Sequence, residues 1–198
     1  MLLSAFSLVC ALTMLVILDR DGVINHDSPD YIKSPAEWKA IPGSLEAIAQ
    51  LNRAQHQVVI ATNQSGLAKG YFSPANLEAI HQKLRDELTK AGGYVDGIFF
   101  CPHSSDDHCA CRKPKPGLLQ QIAAAFPDNP PSVFIGDSLR DITAAQAFGC
   151  PGWLVKTGNG AKTLAAHPQL NNQVPVFKDL AAAVKNLLAD NTQHNAII

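Results

Sequence analysis

Leu15-Val16-Ile17-Leu18-Asp19-Arg20-Asp21-Gly22 decides the fold of this 198-residue chain. The apolar run reads as a short buried strand. It is followed by two aspartates one residue apart and a glycine. Carboxylates at the C-terminal end of a strand lie where open α/β sheets bind their ligands. Side chains alternate along extended backbone, so Asp19 and Asp21 face one way and Arg20 points away. That spacing suits a nucleophile, an acid/base and a shared cation. Asp-Gly after an apolar run is equally a hairpin signal, and the rest of the chain has to decide.

Working outward, apolar runs alternate with helical periodicities. Pro42-Gly43-Ser44 opens a helix with Leu45, Ile48 and Leu51 on one face, and Gln57–Thr62 is a second strand. Ser73-Pro74 caps and starts a helix striped by Leu77, Ile80, Leu84 and Leu88. Strands follow at Val95–Phe100, Ser132–Ile135 and Gly152–Lys156. Helices are expected over Leu118–Phe126, up to Phe148, and around Leu180, Val184 and Leu187. Val174–Phe177 reads as an edge strand, where Pro175 is tolerated. The alternation predicts a three-layer α/β fold, a parallel sheet with helices on both faces. The segments between Gly22 and Thr62, and between Asn63 and Lys113, are too short for a large cap domain.

The chain fits one domain, 14–190, with a tail at 191–198. Residues 1–13 are apolar, but no Lys or Arg precedes Arg20. A signal peptide would carry a basic n-region, and a membrane span would be longer. They are read as an upstream extension, with Met14 the natural start and a cytoplasmic location expected. Net charge is −1, which gives no electrostatic reason to expect nucleic acid or a membrane as partner. No Gly-rich nucleotide-binding loop follows a strand.

Polar residues recur where strands end: Asp19 and Asp21, Thr62 and Asn63, Lys113, then Asp137 and Asp141. The set suits phosphoryl transfer. A carboxylate can attack phosphorus, Thr62 and the Asn63 backbone can bind the phosphoryl oxygens, Lys113 supplies charge, and Asp19 with Asp137 makes a carboxylate pair for Mg²⁺. Asp137 and Asp141 are also ordinary helix-capping residues. Separately, Cys101-Pro102-His103 and Cys109-Ala110-Cys111 offer three thiols and an imidazole, the ligand set of a closed, structural Zn²⁺ site. His108 competes with His103, and a Cys109–Cys111 disulfide is the alternative, in strained geometry. Cys10 and Cys150 read as apolar fillers.

In order, Asp-x-Asp, Thr, Lys and Gly-Asp-x-x-x-Asp resemble the haloacid dehalogenase (HAD) superfamily of phosphatases from about Leu15 to Thr157. The resemblance implies that Asp19 is the nucleophile and Asp21 the general acid/base. Mg²⁺ would be held by Asp19, the Asp21 carbonyl and Asp137, with Asp141 orienting Lys113 or the metal waters. Asp19–Asn25, Thr62–Gly70 and the cysteine loop running into Arg112-Lys113-Pro114 are similar to the heptose 1,7-bisphosphate 7-phosphatases of that superfamily, although the gap between His103 and Cys109 is shorter than in many members. That group removes the C7 phosphate on the way to ADP-heptose for lipopolysaccharide core. The likeness implies a small sugar bisphosphate as partner and substrate contacts from Asp27, Tyr31, Thr62, Asn63, Gln64, Ser65, Arg112, Lys113 and Ser138, and the open, capless design permits a monomer. Arg112 would bind the second phosphate. Histidinol-phosphate phosphatases share the zinc-loop pattern and remain the alternative. A polynucleotide 3′-phosphatase is disfavoured by charge. A non-catalytic zinc-stabilised scaffold is the reading from another class.

Overall fold

The computed structural model describes residues 13–128 and 130–194. Most of the N-terminal extension, Cys10 and the last residues of the tail lie outside them. The elements are β1 (Leu15–Leu18), α1 (Ser44–Arg53), β2 (Gln57–Asn63), α2 (Pro74–Lys90), β3 (Gly97–Cys101), α3 (Gly117–Ala125), β4 (Ser132–Gly136), α4 (Leu139–Phe148), β5 (Gly152–Val155), α5 (Gly160–Ala166), α6 (Leu170–Gln173), β6 (Val176–Phe177) and α7 (Leu180–His194).

The strands form one six-stranded sheet in the order β3-β2-β1-β4-β5-β6, with every pairing parallel. β1 is central, hydrogen-bonded to β2 on one side and β4 on the other. The strand order reverses there, which opens a crevice beyond the strands' C-terminal ends. Asp19 follows β1 and Asp137 follows β4, so the topology delivers both carboxylates to that crevice.

Period-two alternation along β1 divides the core. Val16 and Leu18 join the cluster made with Ile48, Leu51, Ile80, Leu84, Val184 and Leu187, from α1, α2 and α7. Leu15 and Ile17 face Leu118, Leu119, Ile122, Ala144 and Ala145, from α3 and α4. Val16, Ile17 and Leu18 are wholly buried, each contributing ~1.5–3 kcal/mol of burial. A charge at Ile17 would therefore abolish the platform that carries Asp19.

The Asp21-Gly22 step does not start a hairpin. Gly22 has φ 85°, its N–H donates to the Asn25 carbonyl (2.7 Å), and the Ile24 N–H donates back to the Arg20 carbonyl (2.9 Å). The chain makes a tight loop and passes on to α1. β3 begins at Gly97, two positions later than the apolar pattern suggests, and α7 continues to His194. The short helices α5 and α6 carry no apolar stripe in sequence. Gly160 starts α5 because a Cβ there would sit 1.7 Å from the Val155 carbonyl oxygen.

Candidate active site

Lys113 is the centre of the crevice. Its ammonium lies 2.9 Å from Asp19 Oδ2 and 2.7 Å from Asp141 Oδ1, and it donates to the Ala61 carbonyl (2.9 Å) at the end of β2. It is 2% exposed. Asn63 places it: the Asn63 amide donates to the Lys113 carbonyl and its oxygen accepts from the Lys113 N–H, both at 3.1 Å. Sequence reasoning gave Asn63 a backbone role and a place among the substrate contacts. Its side chain instead staples the loop after the cysteines to β2.

Asp19, Asp137 and Asp141 bring carboxylate oxygens within 4.8 Å of one another. With Lys113, three carboxylates and one ammonium leave an excess of two negative charges out of water. Burial first, and then the Asp141 and Asp137 charges, push Asp19 up to about 8 against the pull of Lys113. Burial, then Asp141, pushes Asp137 up to about 7. Burial also opposes ionisation of Asp141, but Lys113 outweighs it and holds that carboxyl below its ordinary value. Burial works against the Lys113 ammonium, which Asp141 and Asp19 more than restore. A divalent cation balances this excess, so the donor set fits Mg²⁺.

Asp141 has both oxygens engaged. Oδ1 pairs with Lys113, and Oδ2 accepts from the Ser138 N–H (3.0 Å) and hydroxyl (2.6 Å) in the capping box of α4. It is thus both the capping residue and the Lys113 partner. Asp19 shares Lys113 with it, and Asp19, Asp137 and Asp141 together make the carboxylate group that could hold a metal. Ser138 faces the cavity, but its hydroxyl proton is given to Asp141 rather than aimed at a ligand. Gly22 permits the close approach: a Cβ there would lie 2.0 Å from Asp137 Oδ2.

Asp21 is held by four donors. Arg20 Nε (3.1 Å) and Nη2 (2.8 Å) make a fork onto its two oxygens, Asn25 Nδ2 reaches Oδ1 (2.8 Å) and Gln64 Nε2 reaches Oδ2 (3.0 Å). Burial disfavours its charge, but Arg20, Asn25 and Gln64 together hold its pKa below the usual carboxylate value. The expectation that Arg20 points away needs correcting. The side chain is fully buried, and its guanidinium meets Asp21. Gln64 also donates to the Thr62 hydroxyl (2.8 Å), leaving the Thr62 proton free to donate.

Asp19, Asp21, Thr62, Gln64, Lys113, Asp137 and Asp141 line an open cleft of about 230 Å³ with Asp27, Tyr31, Asn63, Ser65, Arg112 and Ser138. Lys69, Arg140 and Asn159 line it too and were not among the expected site residues. Lys69 donates to the Tyr31 hydroxyl (2.9 Å) across the mouth. Asn159 donates through its backbone to Asp137 Oδ2 (2.7 Å) and through its amide to Asp27 Oδ2 (2.8 Å). Lys69 lies inside the Thr62–Gly70 stretch. Asn159 follows β5 and carries no local signal; only the tertiary fold brings it here.

The structure gathers Cys101, His103, Cys109 and Cys111, with His108 outside the group. Sulfur–sulfur separations are 3.6, 3.2 and 3.6 Å, and His103 Nδ1 lies 3.3 Å from Cys111 and 3.6 Å from Cys101. A disulfide requires ~2.05 Å. The edge of a tetrahedron with ~2.3 Å metal–sulfur bonds is ~3.7 Å, so the quartet fits zinc. The cluster reaches the cleft through Arg112, whose Nη1 donates to the His103 carbonyl (3.1 Å).

The family model "HAD-hyrolase-like" matches residues 110–183. A D-glycero-beta-D-manno-heptose-1,7-bisphosphate 7-phosphatase of Bordetella bronchiseptica is 54% identical over 89% of this chain and 98% of its own length. The Pseudomonas aeruginosa protein of the same name is 51% identical over 88% and 97%. A crystal structure of the B. bronchiseptica phosphatase complexed with magnesium and phosphate matches with a TM-score of 0.86 over 90% of this chain and 99% of that one. No helix among the described residues is long and apolar enough to cross a membrane.

Proposed function

Because the chain belongs to the D-glycero-beta-D-manno-heptose-1,7-bisphosphate 7-phosphatase family of HAD-like hydrolases, we propose that it hydrolyses the C7 phosphate of that sugar bisphosphate. The product is the 1-phosphate, a precursor of ADP-heptose for lipopolysaccharide core. The observation that carries the reading is the Asp19–Lys113–Asp141 chain beside Asp137 at the β1/β4 crevice.

Asp19 attacks phosphorus and forms an aspartyl-phosphate. Its Oδ1 accepts from the Arg20 N–H (2.7 Å) and its Oδ2 pairs with Lys113, so the carboxylate is fixed before substrate arrives. The Thr62 hydroxyl, the Asn63 backbone and Lys113 take the charge that spreads over the phosphoryl oxygens. Asp21 protonates the departing C7 oxygen and then takes a proton from the water that cleaves the phospho-enzyme. The fork from Arg20 favours its ionised, proton-accepting form. An incoming phosphate dianion raises its pKa toward the proton-donating form. Asp19, the Asp21 carbonyl and Asp137 would hold Mg²⁺, which neutralises the excess negative charge and lets one anion approach another.

Cys101, His103, Cys109 and Cys111 would hold zinc in a structural role, since four protein ligands would leave no open position, and the loop they fix carries Arg112 toward the second phosphate. Asp27, Tyr31, Gln64, Ser65 and Ser138 shape the rest of the cleft. The enzyme works as a monomer in the cytoplasm, where thiols stay reduced for zinc.

The test is phosphate release, with Mg²⁺, from both anomers of heptose 1,7-bisphosphate and from histidinol phosphate, with Asp19→Asn as blank. Preference for a heptose anomer supports the reading. Preference for histidinol phosphate overturns the substrate, and no Asp19-dependent release from any of them overturns the enzyme.

A further inference from the structure

His81 is a buried titratable group that the reaction outlined above does not use. It sits on α2, on the stripe with Leu77, Ile80, Leu84 and Leu88, and is 2% exposed. Its ring packs against Phe100 of β3, centroids 5.9 Å apart. Its Nε2 lies 3.3 Å from Arg20 Nη1.

The geometry around Arg20 gives this contact a purpose. The guanidinium is wholly buried, and Nε and Nη2 are spent on Asp21. Nη1 lies off that edge, and His81 is the partner it meets. An arginine is a donor only, so His81 accepts at Nε2 and is the neutral tautomer protonated on Nδ1. A planar guanidinium bonded along one edge can still pivot about that edge, and a partner on Nη1 fixes its plane. Asp21 is therefore oriented by a fork whose own orientation is set from α2.

We infer that His81 is a positioning residue for the acid/base step: it holds Arg20, and Arg20 holds Asp21. The inference rests on the aspartyl-phosphate reading above, with Asp21 as acid and base. It assigns no chemistry to the imidazole itself. It also makes α2 part of the catalytic frame, although no residue of that helix lines the cleft.

The experiment compares two leaving groups in His81→Leu and His81→Gln. Departure of 4-nitrophenolate needs no proton, whereas the sugar alkoxide does. Hydrolysis of the phospho-enzyme needs Asp21 as base for either substrate. In His81→Leu, 4-nitrophenyl phosphate should give a nitrophenol burst close to one per active site, followed by slow turnover. Turnover of the sugar bisphosphate should fall ~10–100-fold, part of the ~10²–10⁴ that acid–base catalysis supplies, with KM little changed. In His81→Gln the amide oxygen accepts from Nη1, and rates should return to within a few-fold of wild type.

If burst and steady state fall together in His81→Leu, active sites have been lost and the inference is overturned. It is also overturned if His81→Leu behaves as wild type, or if His81→Gln is no better. Should the leucine variant not fold, His81→Asn against His81→Gln makes the same comparison: both are polar, but only the longer amide reaches Nη1. Wild type is run alongside, and lack of Asp19-dependent turnover there would refute the phosphatase reading rather than the role of His81.

Discussion

Replacing Lys113 by methionine tests the electrostatic core of the site. Methionine matches the stem of lysine but leaves Asp19 and Asp141 facing each other without the ammonium that lies 2.9 and 2.7 Å from them. Breaking a buried pair by removing one partner costs ~3–5 kcal/mol. With a urea m-value of ~2–3 kcal/mol/M, that lowers the midpoint by roughly 1–2.5 M.

The sign with pH follows from the carboxylates. In wild type Asp141 lies below its ordinary 3.8 because of Lys113. Its contribution to stability is therefore present above that value and lost as pH falls through the lower folded one. Without Lys113, burial and the neighbouring carboxylates raise Asp141 instead. Its folded form then carries a proton that the unfolded chain has lost, and stability falls as pH rises through the raised value. The deficit of Lys113→Met relative to wild type should accordingly be larger at pH 8 than at pH 5.5. The assay is urea unfolding at both pH values, with zinc in place and no Mg²⁺ added. A deficit under about 1 kcal/mol, or one that does not change with pH, would refute the charge balance described for the crevice.

Other perturbations have separable outcomes. Gly22→Ala puts a Cβ 2.0 Å from Asp137 Oδ2 at φ 85°; activity should vanish and thermal stability drop, as calorimetry would show. Asn63→Ala removes both bonds to the Lys113 backbone; chemical denaturation should show ~1–3 kcal/mol lost, and steady-state kinetics a larger change in kcat than in KM. Chelating zinc frees the loop that holds Arg112, so KM for the sugar bisphosphate should rise more than KM for a monophosphate. Metal analysis before and after should show one zinc per chain lost.

The parallel sheet was legible because β1, β2, β4 and β5 are short apolar runs whose ends carry the polar residues of the site. The order of motifs placed Asp19, Lys113 and Asp137 together, and ligand type alone picked out the Cys101, His103, Cys109 and Cys111 group that could hold a metal. Two kinds of feature were not legible. Asn159 and the side-chain role of Asn63 depend on contacts between segments far apart in the chain, which no local pattern records. Arg20 was misread because alternation gives the direction of a Cβ, not where a long flexible side chain ends. His81 drew no reading from the sequence, and its 3.3 Å contact with Arg20 is what sets it apart from Leu77 and Leu84. Helices α5 and α6 escaped notice because they are short and pack few apolar residues.

The central claim is that phosphate passes through Asp19. A single turnover of heptose 1,7-bisphosphate radiolabelled in its C7 phosphate, quenched in acid and mapped by peptide, tests it directly. Label should appear on the peptide containing Asp19, decay into inorganic phosphate and leave the C1 phosphate on the sugar. Product formation with no label on the protein, or an Asp19→Asn variant that turns over at the wild-type rate, would contradict the account.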